Sequence, residues 1–297
     1  MNMDQIHPVF LIGPPRTGTT LLARLLAAAR GVLSLSEPFH LHTLLNPWVL
    51  RGFFRHFEWK HGLRRAAMEL DCDEKGFFRY LKGMTRVNGM RHLVIKEVFK
   101  QPELPTPFPN FEQLNRLLDT RTAAVGIIRH PCDAAASTLG LLRWLLGKHR
   151  GCFIRWFWPT TPRFRDDNEI IRWAAINWNC FAEWTRRRGL YTIRYEDLVA
   201  DPTNVLPRIC QRVGIPFHHD MLDHHNHKPA AFGGIGDPKV LMKKDRPVYD
   251  HAVGRGQSLT ARQYDLVRAH CGAAAAEFGY PIHQSQQGAL PLRIASA

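Results

Sequence analysis

The chain has 297 residues, 45% of them hydrophobic, which is enough for one large domain with a substantial core and excludes general disorder. Lys and Arg number 40 against 26 Asp and Glu, and the formal charge of +14 attracts polyanions: phosphorylated small molecules, nucleic acid or an acidic membrane surface. No stretch approaches the ~20 apolar residues of a membrane span.

The first 13 residues carry Asp4 and Pro8, and their apolar run is too short for a signal peptide. Six scattered cysteines (Cys72, Cys132, Cys152, Cys180, Cys210, Cys271) form no CxxC pair. Both features point to a cytoplasmic protein with reduced thiols, several of them in core positions.

Residues 9–12 (VFLI) predict a first strand, and residues 19–29 predict a helix. Between them lies Gly13-Pro14-Pro15-Arg16-Thr17-Gly18, followed by Thr19-Thr20. A strand, a Gly/Pro-rich turn and a helix opening on hydroxyl residues form a phosphate cradle. The N–H groups of the turn converge on one anion, and the helix adds its positive end. The Gly13-x4-Gly18 spacing matches a P-loop, but Thr19 stands where a nucleotidase carries lysine. Arg16, inside the loop, is the replacement for that charge.

Residues 32–35 predict a second strand, tipped by Ser36-Glu37-Pro38. A parallel sheet puts this tip beside the phosphate loop. Pro38 is expected to hold Glu37 extended and aim its carboxylate off the sheet. Partial burial would raise its pKa toward the value a general base needs. Residues 92–95 predict a third strand with Lys96 at its end, pointing into the same crevice; an ion pair with Glu97 or another acid is the alternative role for Lys96.

Residues 123–128 predict a fourth strand, ending before Arg129. Pro131 suits the first turn of a helix, where its absent N–H is not missed. Ser137 then lies about two turns into that helix, one turn past Asp133. Arg129 and Ser137 can grip one more phosphate through charge-assisted hydrogen bonds. A structural Arg–Asp pair is the competing account. Two separate anion grips imply a ligand with phosphate groups at two ends.

Two insertions mix aromatic and basic residues, 39–65 and 139–164. Each follows a motif-bearing strand end. An amphipathic helix packed on the core, a lid or acceptor-pocket wall, and shallow contact with a membrane surface all remain open for them. Residues 190–193 predict a fifth strand, and Arg186-Arg187-Arg188 before Gly189 read as a helix C-terminal cap. The histidines at 218, 219, 224, 225 and 227 read as a solvated loop without clear metal-ligand spacing, so no metal is expected. One domain over 1–283 with a loosely held tail at 284–297 completes the organisation. Alternating strands and helices imply an α/β fold with a mostly parallel sheet covered on both faces, and ligands beyond the carboxyl ends of its strands.

The segment Arg16-Thr17-Gly18-Thr19-Thr20 resembles the 5′-phosphosulfate loop of sulfotransferases that use 3′-phosphoadenosine 5′-phosphosulfate (PAPS). Arg129-His130-Pro131-Cys132-Asp133 with Ser137 resembles their 3′-phosphate motif. Order and separation also fit, so the resemblance covers roughly the first two hundred residues. Arg194-Tyr195-Glu196-Asp197-Leu198 with Asp201-Pro202 is similar to the family's segment beside the adenine. Gly254-Arg255-Gly256 resembles the glycine-rich loop that closes on the 3′-phosphate, although Gln257-Ser258 replace the family's aromatic. The loop at Gly13 and the acid after the second strand look like the carbohydrate- and tyrosylprotein-modifying branch and its bacterial relatives, not the small-phenol branch with its histidine base.

The resemblance implies a P-loop-like three-layer α/β/α fold with helical insertions on the acceptor side. It implies PAPS as co-substrate, held by Pro15, Arg16, Thr17, Gly18, Thr19, Thr20, Arg129, Ser137, Tyr195 and Arg255. Tyr195 would line the base, with a core-edge aromatic as its alternative role. The reaction would be in-line sulfuryl transfer to a hydroxyl or amine, with Glu37 as base, Lys96 on the bridging oxygen and Arg16 on the phosphosulfate. Positioning and charge stabilisation supply most of such a rate, without a metal. The acceptor would be a small molecule or a glycan- or lipid-like partner, with peripheral membrane contact left open and no specific nucleic acid. A P-loop small-molecule kinase needs the lysine missing after Gly18. A basic nucleic-acid or membrane-surface binder would bind with steep salt dependence and no preference for a 3′-phosphate.

Overall fold

Six parallel strands form one sheet in the order β5-β4-β1-β3-β2-β6. They are β1 (His7–Gly13), β2 (Val32–Ser36), β3 (His92–Val98), β4 (Ala123–Ile128), β5 (Thr192–Arg194) and β6 (Ala231–Gly234). The computed structural model describes residues 6–66, 73–99, 115–116, 118, 123–148, 164–226, 231–234, 248 and 252–282. The expected tail at 284–297, residues 149–163 of the second insertion and His227 lie outside the described residues.

The strands read as continuous apolar runs because both faces of the sheet are covered. Phe10, Ile12, Leu93 and Ile95 face one layer, where they pack with Phe54, Phe77 and Trp178. Val9, Leu11, Val94 and Ile127 face the other, where they meet Leu22, Leu25, Leu198 and Ile209. The first layer holds α3 (Pro47–Lys60), α4 (Glu74–Val87), α5 (Pro131–Lys148), α6 (Asp167–Arg188) and α9 (Ala261–Glu277). The second holds α1 (Thr19–Ala27), α7 (Tyr195–Ala200) and α8 (Pro202–Val213). The short α2 (Pro38–Leu44) leaves the tip of β2. This is the three-layer α/β/α arrangement the sequence implies.

Topology fixes where a ligand can bind. The chain passes from β1 to β2, returns to lay β3 between them, then crosses to the far side of β1 for β4 and β5. Neighbours β1 and β4 therefore send their connections in opposite directions, which opens a crevice beyond their carboxyl ends. Register aligns those ends: Leu11 of β1 stands opposite Lys96 of β3 and Val125 of β4, and Lys96 stands opposite Ser36 of β2.

The elements differ from the expectations in informative places. β3 continues through Lys96 and Glu97 to Val98, so Lys96 lies inside the strand. β5 begins two residues after its expected start, at Thr192. α1 stops at Ala27, and β6 (AFGG) is a strand that its own composition does not announce. The first insertion forms α2 and α3, and residues 139–148 are the second half of α5. α6 ends on left-handed Gly189, with three arginines in its last turn as the cap reading requires. Among the described residues no helix is long and apolar enough to cross a membrane.

Candidate active site

The β1–α1 turn is built around two left-handed residues, Arg16 (φ 69°) and Gly18 (φ 96°). Left-handed residues in a tight turn are the element from which backbone N–H anion nests are made. Thr17 is buried and donates its hydroxyl to the Pro14 carbonyl at 2.8 Å, which closes the turn on itself. Gly13 has no room for a side chain: a Cβ would lie 2.6 Å from both the Ile127 carbonyl and Thr17 Oγ1. Gly18 is similarly restricted, since a Cβ there would lie 2.4 Å from the Tyr195 ring. The Leu22 N–H makes the first helical bond, to Gly18 O at 3.1 Å. The preceding N–H groups, of Thr19, Thr20 and Leu21, are helix-terminal donors. No side chain caps that end of α1 and no acid sits in its first turn. Thr19 is buried, while Pro15, Arg16 and Thr20 are half-buried.

Arg16 reaches across the crevice. Its Nε donates to Ser137 Oγ, 3.1 Å away on α5. Arg129, at the tip of β4, donates from Nη1 to the Arg16 carbonyl at 3.2 Å. The two expected anion grips are thus one connected unit, and Ser137 serves the Arg16 side of it. Arg129 is buried, its carbonyl is fixed by Trp178 Nε1 at 2.7 Å, and its guanidinium lies 5.0 Å from the centre of the Tyr195 ring. Nη2 bonds the Ala252 carbonyl and lies 3.4 Å from Asp133 Oδ2. Nε is buried without a hydrogen-bond partner. Burial pulls the Arg129 pKa down, against the pull of Asp133.

Asp133 does more than pair with Arg129. Its two oxygens accept the Gly254 N–H at 2.8 Å and the Gly256 N–H at 2.6 Å. The Gly254-Arg255-Gly256 segment is thereby strapped onto the start of α5. Gly256 must be glycine, because a Cβ would sit 2.6 Å from that of Cys132. Arg255 itself is exposed, and its carbonyl accepts the Ser258 hydroxyl at 2.8 Å. A second strap closes the β4–β5 side. Glu196 accepts the His130 N–H at 2.9 Å and the Tyr280 hydroxyl, and Arg194 covers the Tyr280 ring at 4.4 Å. Tyr195 is buried against Gly18 and Arg129, so its observed contacts are those of a packed aromatic at the core's edge.

Glu37 departs from expectation. Pro38 was expected to keep it extended, but the residue is left-handed (φ 56°, ψ 44°) and forms the N-cap of α2. The reason lies in its partners. Its N–H continues the sheet ladder to the Lys96 carbonyl at 2.6 Å, while its own carbonyl already accepts the first helical bond, from Leu41 at 3.1 Å. Strand and helix meet at one residue. Pro38 disfavours the right-handed region for that residue, and the observed left-handed backbone makes both bonds at once.

The carboxylate of Glu37 bonds Lys96 Nζ, with both side chains buried. Glu97 points to the other face of β3, as strand alternation requires. It is fully buried, and its Oε1 accepts the Phe39 N–H at 2.8 Å in the first turn of α2. Burial, then repulsion from Glu37, hold the Glu97 carboxyl well above the usual range. Lys96 therefore pairs with Glu37, not with its sequence neighbour.

Sequence reasoning missed the Asp133 strap, the Glu196–Tyr280 strap and the role of Glu97 beneath α2. The spacing of Asp133 four residues after Arg129 was the one available signal. Among the described residues no group of three or more His, Cys, Asp or Glu converges as a metal site.

A parallel α/β sheet with a P-loop-like turn on β1 and a second arginine on β4 defines a fold of the P-loop-like α/β class. Within that class, the chain belongs to the sulfotransferase family, whose sequence profile matches residues 8–219. It is accordingly a transferase. It is similar in fold to the sulfotransferase domain from the olefin synthase of Synechococcus PCC 7002, with 20% identity and a TM-score of 0.54 over 89% of this chain and 94% of that one. The sulfotransferase domain from the curacin biosynthetic pathway gives 18% identity and a TM-score of 0.51 over 93% of this chain and 98% of that one. No curated protein matches the sequence.

Proposed function

We propose that the protein moves a sulfuryl group from PAPS to a hydroxyl or amine of an acceptor. One observation carries this reading: the arginines of the β1 and β4 tips meet over the crevice, Arg16 on Ser137 and Arg129 on the Arg16 carbonyl. A donor with phosphate groups at two ends fits such a pair of cationic grips. The uncapped first turn of α1 suits the 5′ end, and the unpartnered Arg129 Nε suits a phosphate oxygen.

When bound, PAPS supplies the sulfuryl group and a nucleotide leaving group. The turn N–H groups of residues 16–20 and the Arg16 guanidinium hold the 5′ side. Arg129 and Arg255 hold the 3′-phosphate, Ser137 joins that side to Arg16, and Tyr195, packed against Gly18 and Arg129, backs the donor site. Glu37 takes the proton of the acceptor. Its bond to Lys96 Nζ holds the carboxylate at the carboxyl ends of β2 and β3. The Lys96 ammonium has three N–H donors, and Glu37 engages Nζ through one oxygen, which leaves donors to stabilise charge on the leaving oxygen. The acceptor class is a small molecule or a glycan- or lipid-like compound.

Calorimetry with adenosine 3′,5′-bisphosphate and adenosine 5′-monophosphate tests the donor. The bisphosphate is expected to bind at least tenfold more tightly, with Arg129→Ala abolishing the difference. Equal affinity for both nucleotides in the wild type overturns the assignment. Glu37→Gln is expected to keep bisphosphate binding while turnover falls by ~100-fold or more. An unimpaired rate removes Glu37 as the base.

A further inference from the structure

Among the described residues, α3 carries the two most exposed tryptophans on its outward face. Its inner face is committed: Leu50, Phe54 and Phe57 are buried in the core, and Glu58 is buried with its carboxylate accepting the Tyr80 hydroxyl at 3.0 Å. Outside, Trp48 is 83% exposed and Trp59 78% exposed. Eleven residues is about three helical turns, so the two indoles project within ~20° of one another, ~16 Å apart along the axis. Arg55 falls between them on the same stripe, with Arg51 and Lys60 flanking it, all exposed. The positive charge continues past the helix in exposed Arg64 and Arg65. Glu58 is the only acid among residues 45–66, and it is turned inward.

We propose that this face of α3 docks the protein on an anionic lipid bilayer. Indole rings favour the headgroup level, where an apolar body and an N–H are both accommodated. Cations beside the rings are drawn to anionic headgroups, and no exposed acid in the segment opposes them. Leu50, Phe54 and Phe57 of α3 are already spent on the core, so the contact is shallow: two rings, the part-exposed Val49 and a belt of cations, without helix burial. A flat, fluid surface meets two rings ~16 Å apart without needing a shaped pocket for either. α3 follows Glu37 after α2 and a two-residue link, which ties the docking face to the acceptor side of the site by one short helix. That last connection rests on the proposed reaction; the docking itself does not.

The test is flotation of the full chain with phosphatidylcholine vesicles, with and without phosphatidylserine. Binding is expected to the mixed vesicles only, and to weaken steeply with salt. Trp48→Ala/Trp59→Ala is expected to lower it at least tenfold. Both side chains are mostly in solvent, so nucleotide affinity should stay at the wild-type value, which also certifies the fold of the variant. Arg55→Glu/Lys60→Glu is expected to remove the preference for phosphatidylserine. Absence of binding to mixed vesicles, or binding that the tryptophan pair does not change, overturns the proposal. So does tryptophan-dependent binding to poly-glutamate without vesicle binding, which would assign the face to an acidic polypeptide. Nucleotide binding and vesicle binding are read separately, so failure of one reading leaves the other standing.

Discussion

At the scale of single residues, the site depends on backbone conformations that side chains resist. Gly18 combines φ 96° with a neighbour, the Tyr195 ring, that would stand 2.4 Å from any Cβ. Gly18→Ala is therefore expected to cost about 2 kcal/mol or more of stability, from left-handed strain and overpacking together. Its nucleotide affinity should fall with it, because relief requires Tyr195 to move off Arg129. Urea unfolding and calorimetry on the same variant check both; wild-type values for both would mean the turn is looser than it is drawn. Arg16 and Arg129 were legible in the sequence because their signature is local: a cation at fixed spacing after an apolar run. The conformation of Glu37 was not legible. It depends on a hydrogen bond to Lys96, 59 positions away in the chain, which outweighs what Pro38 alone suggests.

At the scale of elements, the amino end of α5 is the junction where most of the site is assembled. Pro131 and Asp133 open the helix, Ser137 looks across to Arg16, and Asp133 straps down residues 254–256. Asp133→Asn replaces an acceptor with an N–H₂ donor that faces existing donors. A loss of about 1–3 kcal/mol is expected, together with faster amide hydrogen exchange at Gly254 and Gly256. Retained protection at both glycines would refute the strap. The strands were readable as elements because burial on both faces writes them as apolar runs. β6 was not, since AFGG has neither alternation nor length, and its strand character comes from pairing with β2. The aromatic insertion at 39–65 was ambiguous for a related reason. Its helix period is plain, but only packing tells which aromatics turn inward, Phe54 and Phe57, and which outward, Trp48 and Trp59.

At the scale of the molecule, acid stability carries a sign that can be worked out from one buried histidine. Burial, then the nearby Arg24 charge, lower the His224 pKa from 6.5 to about 4. In that window the unfolded chain takes up a proton that the native state refuses, so native stability is retained above 6.5 and declines as pH falls toward 4. Glu97 acts in the opposite sense: its raised value favours the native state below 4.5, an advantage lost as pH rises. Comparing the wild type with His224→Gln isolates the histidine. The variant should show a flatter dependence of the urea midpoint between pH 7 and 4.5. Parallel curves would refute the assignment.

The two straps also set a timetable for synthesis. Both arginine-bearing tips leave the ribosome early, yet Asp133 lacks two of its partners until Gly254 and Gly256 are made, and Glu196 waits for Tyr280. Residues beyond the profile-matched segment, 8–219, thus act as a latch fitted last. A nascent chain is left with an open cradle until residues 254–280 have emerged, when α9 docks and the pieces lock together.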